Sequence, residues 1–239
     1  MLRNLLLALA LLACLPGMAQ ARQLTIGMPC LNDDCRLPMA EGFFREAYRR
    51  IGVDVTFVSL PSPLELEFAD MGRTDGSMLR TEAVGADHAN LIMVPYPLAR
   101  ISFTACSLRD DVRIDRPADL AGYRTGISRG GFTAARICRD AKVEPVLMSS
   151  LTSGIRMLEE KRLDVIVEER HTIDWAMAEA GRQLYCSEPL FKGYLYHWLN
   201  KRNADLVCRL ADAFQAMHAE GVARRVFGES ADFTPEQAR

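Results

Sequence analysis

The sequence predicts an α/β fold in two lobes, each a mostly parallel sheet covered by helices. Three observations predict it. Short alternating runs rich in β-branched residues exchange with segments of helical period from residue 23 to about 108, in the order β-α-β-α-β. The same order returns between about 118 and 186. Extended segments join the two units, and short connections of this kind favour parallel pairing.

The first strand is Gln23 to Met28, with Leu24 and Ile26 alternating. After a loop in which Asp33 or Asp34 is placed to cap, a helix runs from about Leu37 to Arg50. Its apolar residues Met39, Phe43, Ala47, Tyr48 and Ile51 recur at helical spacing, and Gly52 stops it. Val53 to Val58 is the second strand. Ser62-Pro63 reads as an N-cap followed by a first-turn proline, opening a helix whose inner residues are expected to be Leu64, Leu66, Phe68 and Met71. Thr74 to Leu79, Leu91 to Val94 and a long strand from Arg100 to Leu108 complete the first unit.

Polar residues Arg109 to Pro117 mark the change of unit. A helical turn at Ala118 to Gly122 precedes a strand from Tyr123 to Ile127, then the glycine pair Gly130-Gly131 and a helix through Cys138. Val143 to Met148 is a strand. Ser149, Ser150 or Thr152 caps the helix that carries Ile155, Met157 and Leu158. Leu163 to Val167 is a strand, and the helix from about Thr172 to Ala180, in which Trp175 reads as core, ends at Gly181. A strand at Gln183 to Cys186 leads to a crossing segment, Phe191 to Leu199, and a closing amphipathic helix buries Leu206, Leu210, Phe214 and Met217.

Residues 1–21 are read as a cleaved secretory signal peptide. Arg3 supplies the positive start, Leu5 to Ala13 the apolar run, and Ala19-Gln20-Ala21 the cleavage site. The run is too short to span a bilayer. Leu11-Leu12-Ala13-Cys14 also resembles a lipoprotein box, but the A-x-A site follows at a normal distance, so a soluble periplasmic chain of about 218 residues is expected. Its formal charge moves from −2 to about −3, which gives no reason to expect nucleic acid or anionic lipid as a partner.

Six cysteines remain, and an even number in an exported chain favours disulfides. Cys30 and Cys35 are close enough to close a small loop; pairing of the other four is open, with Cys138–Cys186 and Cys106–Cys208 expected. No metal is expected, because the cysteine spacing has no second close pair and the four histidines are scattered. No cofactor is expected either.

The stretch Arg124 to Thr133 carries the strongest local signal for a ligand. A glycine pair permits close backbone approach, and the following helix presents free N–H groups to an anion. Ser128, Arg129, Gly130, Gly131 and Thr133 are therefore candidate contacts. Gly126-x-Ser128-x-Gly130 matches a nucleophile elbow only superficially, since that motif needs a hydrolase sheet with an acid and a histidine following in order, and the chain is short for one.

The ordered set of motifs resembles the periplasmic solute-binding proteins of the amino-acid type, family 3. Ile51-Gly52-Val53-Asp54-Val55, Met71-Gly72-Arg73-Thr74-Asp75-Gly76, Ala118-Asp119-Leu120-Ala121-Gly122, Met157 to Val167 and Met217-His218-Ala219-Glu220-Gly221 carry the resemblance. It covers the chain from about Leu24 to Phe227. It implies a Venus-flytrap fold (type 2 periplasmic binding protein) with two hinge strands, about Ser102 to Cys106 and Phe191 to Tyr196. Residues 22–103 and 193–239 are expected to form the first lobe, and residues 104–192 the second.

Family amino-acid binders hold the ligand carboxylate with an arginine before the hinge. Here that region, Ala86 to Asn90, has none, and Arg80 is the nearest substitute. The family's amino-group acid falls at Glu169, and the Gly130-Gly131 loop matches its anion-binding loop. Asp33 and Tyr96 are further candidate contacts; one of Glu168 and Glu169 is expected to be a solvated acid, and Arg80 pairing with Glu82 or Asp75 is the structural alternative. The reading is a monomeric, non-enzymatic protein serving amino-acid transport, capturing a small polar or anionic metabolite for an ABC-transporter permease or membrane sensor. The alternative implied by the same resemblance is a periplasmic cyclohexadienyl-dehydratase-like enzyme, with Glu169 and Arg80 or Arg129 as acid and anchor.

Overall fold

The computed structural model describes residues 22–30, 38–181 and 183–234. The signal segment, Asp33, Asp34 and Cys35 lie outside the described residues. In chain order the elements are β1 (Gln23–Cys30), α1 (Pro38–Arg50), β2 (Asp54–Pro61), α2 (Ser62–Asp70), β3 (Gly76–Thr81), β4 (Leu91–Met93) and β5 (Ala99–Ser107). There follow β6 (Thr125–Ser128), α3 (Phe132–Asp140), β7 (Val146–Met148), α4 (Leu151–Glu159), β8 (Val165–Glu169), α5 (Arg170–Ala180), β9 (Tyr185–Cys186), β10 (Phe191–Asn200), α6 (Val207–Ala219) and α7 (Val222–Phe227).

One curled sheet runs β2-β1-β3-β10-β5-β8-β6-β7, with β4 on β10 and β9 on β5. Its two ends are parallel, as the β-α-β pattern predicts: β1 pairs with β2 and β3, and β6 with β7 and β8. The middle is antiparallel. β10 pairs with β3 and β5, and the far half of β5 pairs with β8. Thus β5 and β10 pass from one parallel unit to the other.

The side chains follow the same division. One core joins Leu24, Ile26, Phe43, Phe44, Tyr48 and Met78 to Leu199, Leu210, Phe214 and Met217 of the C-terminal segment. Two further cores lie on opposite faces of the second unit: Phe103, Ile127, Ile137 and Val167 on one, Cys106, Met148, Ile155 and Ile173 on the other. The four residues expected on the inner side of the closing helix are all buried. His197 sits at the centre of the first core. Its Nδ1–H donates to the Met78 carbonyl at 3.1 Å, so Nε2 accepts from the Tyr48 hydroxyl at 2.7 Å. Complete burial pushes its pKa down to about 4.

Three expectations are corrected. Cys106 is bridged to Cys186, whereas Cys138–Cys186 and Cys106–Cys208 were expected. The antiparallel register of β5 and β9 sets these two residues directly opposite, with Cα atoms 4.1 Å apart. Cys138 instead faces the core from α3 as a buried thiol, and Cys208 is an exposed thiol on α6. The inner face of α2 is Ser62, Glu65, Leu66 and Ala69, a true i, i+3, i+4, i+7 stripe, while Leu64 and Met71 are exposed. Trp175, expected in the core, is 65% exposed on α5.

Candidate functional site

The carboxyl ends of β2, β3 and β6 bring together the first turns of α2 and α3, and β8, paired with β6, opens α5 beside them. The N-cap position of α2 is Pro61, which has no polar side chain to cap with, and the Ser62 hydroxyl is engaged elsewhere. It donates to the Gly130 carbonyl at 3.0 Å and accepts from Arg80 Nη1 at 2.8 Å. A second contact lies alongside, Thr81 Oγ1 to Thr133 Oγ1 at 3.2 Å. The Arg80 guanidinium also lies 5.7 Å from the centre of the Phe132 ring. These contacts join the first parallel unit to the second across the space between them.

Gly130 is needed for this approach. Its φ of +79° disfavours any side chain, and a Cβ there would stand 2.8 Å from Pro63 Cδ and 2.9 Å from Ser62 Cβ. Gly131 forms the N-cap position of α3, its N–H bonded to the Ser128 carbonyl at 2.9 Å.

Arg80 is 8% exposed and is paired with Glu65, not with Glu82 or Asp75. Its Nη2 donates to Glu65 Oε2 at 2.5 Å and to the Ser62 carbonyl at 3.1 Å, and Nε reaches Ser77 Oγ at 3.4 Å. Asp75 pairs with Arg202 at 2.7 Å. Glu65 has no exposed surface and lies over Gly27, where a Cβ would be 2.6 Å from Oε1. Gly27 is thus the vacancy in β1 that admits a carboxylate.

On the other side, Ser128 donates to Glu168 Oε2, and Glu168 Oε1 accepts from the Glu169 N–H at 2.9 Å. Glu168 is buried, and burial raises its pKa against the opposing effect of the Ser128 bond. Glu169 caps α5: Oε2 accepts from Thr172 N–H at 2.9 Å and from its hydroxyl at 3.1 Å. Glu169 Oε1 and Glu65 Oε1 are both buried without a hydrogen-bond partner among the described residues.

The sequence-derived candidates divide accordingly. Arg80, Ser128, Gly130, Gly131, Thr133 and Glu169 belong to this junction or its immediate supports. Arg129 does not: it is exposed and lines a groove with Met148, Ser153 and Arg156 at the β7–α4 edge. Tyr96 packs in the first core, 6% exposed, edge-on to His218. Burial raises its pKa. Asp33 lies outside the described residues. Ser62, Glu65, Phe132 and Thr81 were missed; the stripe 62-65-66-69 is the signal that exposes the first two. A cavity of about 530 Å³ lies on β5 and β10 and reaches the first turn of α5, lined by Arg100, Ser102, His171, Lys192, Tyr194 and Ser230. Among the described residues no cluster of three His, Cys, Asp or Glu is placed to hold a metal, and no helix is long and apolar enough to cross a membrane.

No protein-family model matches the sequence. A protein of unassigned function from Shewanella oneidensis is 23% identical over 193 residues, 78% of this chain and 73% of its own length. Solved structures are more informative about shape. A histidine kinase sensor domain with similarity to periplasmic binding proteins superposes with a TM-score of 0.71 at 14% identity, covering 86% of this chain and 94% of its own. The GluR0 ligand-binding core from Nostoc punctiforme, in complex with L-glutamate, gives 0.70 at 14% identity over 88% and 100%. An ABC uptake transporter substrate-binding protein from Streptococcus pneumoniae with bound histidine gives 0.70 at 14% identity over 89% and 95%. The chain therefore has the two-lobed α/β fold of periplasmic binding proteins.

Proposed function

We propose that this chain is an exported solute-binding protein that closes its lobes on a small polar molecule and catalyses no reaction on it. Residues 22–103 and 193–239 make the first lobe in this reading, and residues 104–192 the second. The separate cores support that division, since the first draws on residues 24–98 and 199–231 and the other two on residues 103–184. The hinge is the pair β5 and β10.

One observation carries the reading. The junction between the units is polar and buried, and it is bridged by Ser62–Gly130 and Thr81–Thr133 at the strand ends where α/β folds bind ligands. Side chains so buried and so polar suit a clamp whose hydrogen bonds gain strength when water leaves. Delivery to a permease or to a membrane sensor is the downstream role in this reading; it is supported by two neighbours of the fold that are, by name, an ABC uptake transporter substrate-binding protein and a histidine kinase sensor domain.

The test is a thermal-stability screen of the mature chain against amino acids, amines and organic acids. A ligand that binds only the folded state raises the midpoint, by about 2.7 kcal/mol of stability at a hundredfold excess over Kd. A flat response across all three classes counts against a binding role. Incubation with prephenate or arogenate separates the enzymatic alternative: the binding role predicts no aromatic product.

A further inference from the structure

We propose that the cavity on β5 and β10 is a second ligand site, one that takes a small organic anion with two or more carboxylate or phosphate groups between Arg100 and Lys192. The proposal is independent of what the junction binds. At about 530 Å³ the cavity falls within the range of small-molecule sites, roughly 300–1,000 Å³. None of the junction residues Ser62, Arg80, Gly130, Thr133, Glu168 and Glu169 is among the described residues that line it.

The strand register gives the cavity its chemistry. Lys192 stands opposite Ser102 and Tyr194 opposite Arg100, so these four side chains share one face of the β5–β10 pair. Ile101, Phe103 and Phe191 alternate to the other face, where they share a core with Ile137 and Cys138 of α3. The Gly130 and Thr133 contacts lie at the start of α3 and so belong to that other face. The cavity extends instead toward His171 at the start of α5, whose Ile173 shares a core with Cys106 of β5.

Arg100 and Lys192 are diagonal neighbours on the cavity face, a spacing of about 7–8 Å. Both are exposed, and among the described residues neither is paired with a carboxylate; Arg100 Nη2 donates to the Glu229 carbonyl at 2.8 Å. Other exposed arginines of the chain do have such partners: Arg109 has Asp111, Arg124 has Asp164, Arg170 has Asp174 and Arg202 has Asp75. Glu229 is the one carboxylate among the described lining residues, against two fixed cations. His171 Nε2 and Ser230 Oγ, 2.8 Å apart, and the Ser102 hydroxyl add hydrogen-bonding groups around the same space. An anion with oxygens at both ends relieves the repulsion between the two cations and gives each a charge-assisted hydrogen bond. In the two-lobe division Arg100 and Ser230 belong to the first lobe and His171 and Lys192 to the second, so a bound anion bridges the lobes across their hinge.

The experiment is calorimetric titration of the mature chain with citrate and with glycerol, paired with amide chemical-shift mapping of the citrate complex. The expected result is one citrate per chain and no glycerol, with shifts at Gly193 and Ser230 and none at Gly130 and Thr133. Arg100→Gln and Lys192→Gln should each weaken citrate binding tenfold or more. Both side chains are exposed, so both variants should melt with the parent when citrate is absent, and the mapping on the parent needs no variant at all. Shifts confined to Gly130 and Thr133 overturn this inference and support the solute-binding reading. Citrate affinity unchanged in both variants, or abolished at about 0.15 M salt as between screened surface charges, also overturns it. Absence of citrate binding overturns it too, and leaves the solute-binding reading to its own screen.

Discussion

Replacing Glu65 or Arg80 one at a time, and then together, probes the charge pair on which the junction is built. Glu65 is fully buried and Arg80 is 8% exposed, with 2.5 Å between Oε2 and Nη2. Removing one partner of a buried pair leaves an uncompensated charge and costs about 3–5 kcal/mol. Glu65→Gln keeps the volume and one acceptor oxygen, and both Ser62 oxygens still hold Arg80, so about 3 kcal/mol is expected. Arg80→Gln strands a carboxylate that already has one unpartnered oxygen, and a similar or larger loss is expected. The double variant replaces the pair by two neutral amides and should lose only about 3 kcal/mol, giving a coupling energy near 3 kcal/mol. For a chain of this length each kcal/mol moves Tm by about 2–4 °C, so each single variant should melt about 6–12 °C lower. Urea unfolding at neutral pH, with unchanged slope, measures all three. Additivity of the two single losses within about 0.5 kcal/mol would refute the pair as a coupled unit.

Further outcomes follow from single features. Gly130→Ala forces a Cβ against Pro63 and Ser62 across the junction and adds about 1 kcal/mol of backbone strain, so small-angle scattering should report a wider molecule; an unchanged radius of gyration would count against the contact. His197 stays neutral in the fold down to about 4 but takes a proton near 6.5 when unfolded. Its contribution is therefore complete above 6.5 and is lost as pH falls from 6.5 to 4, amounting to about 3 kcal/mol. Glu168 acts with the opposite sign, its raised pKa removing stability as pH rises above its ordinary value of 4.5. His197→Asn should flatten the acid limb of the stability profile, and an unaltered limb would remove His197 as its cause. Alkylation without reductant should modify Cys208 but not Cys138, whose thiol burial pushes up to about 11, and a digest should contain Cys106 joined to Cys186. A peptide joining Cys138 to Cys186 would contradict the β5–β9 register.

The sequence made the architecture readable because periodicity and turn chemistry are local. Alternation at Leu24 and Ile26, the cap at Ser150 (which accepts from Ser153 N–H at 3.1 Å) and the stripe Leu206, Leu210, Phe214, Met217 each reflect one element's own geometry. What was not readable depends on how distant elements meet. The Cys106–Cys186 bridge is set by the β5–β9 register, which no spacing rule encodes. Ser62 looked like a cap and is instead a cross-unit contact, because its hydroxyl donates to the Gly130 carbonyl and accepts from Arg80. Glu65 was invisible for a similar reason: a carboxylate on a helix is normally solvated, and only the bare Gly27 beneath it permits burial. Arg129 was assigned to the ligand through its neighbours in sequence, but an arginine on a strand–glycine turn can leave by either side, and here it takes the outer groove.

Native mass spectrometry of the mature chain, purified without denaturation and then offered amino acids, amines and organic acids, tests the central claim most directly. The account predicts one small-molecule adduct per chain, retained from the host or formed with one of these probes, and its disappearance on unfolding. A bare chain mass under every condition, with none of the probes adding to it, would contradict the claim that these lobes close on a ligand.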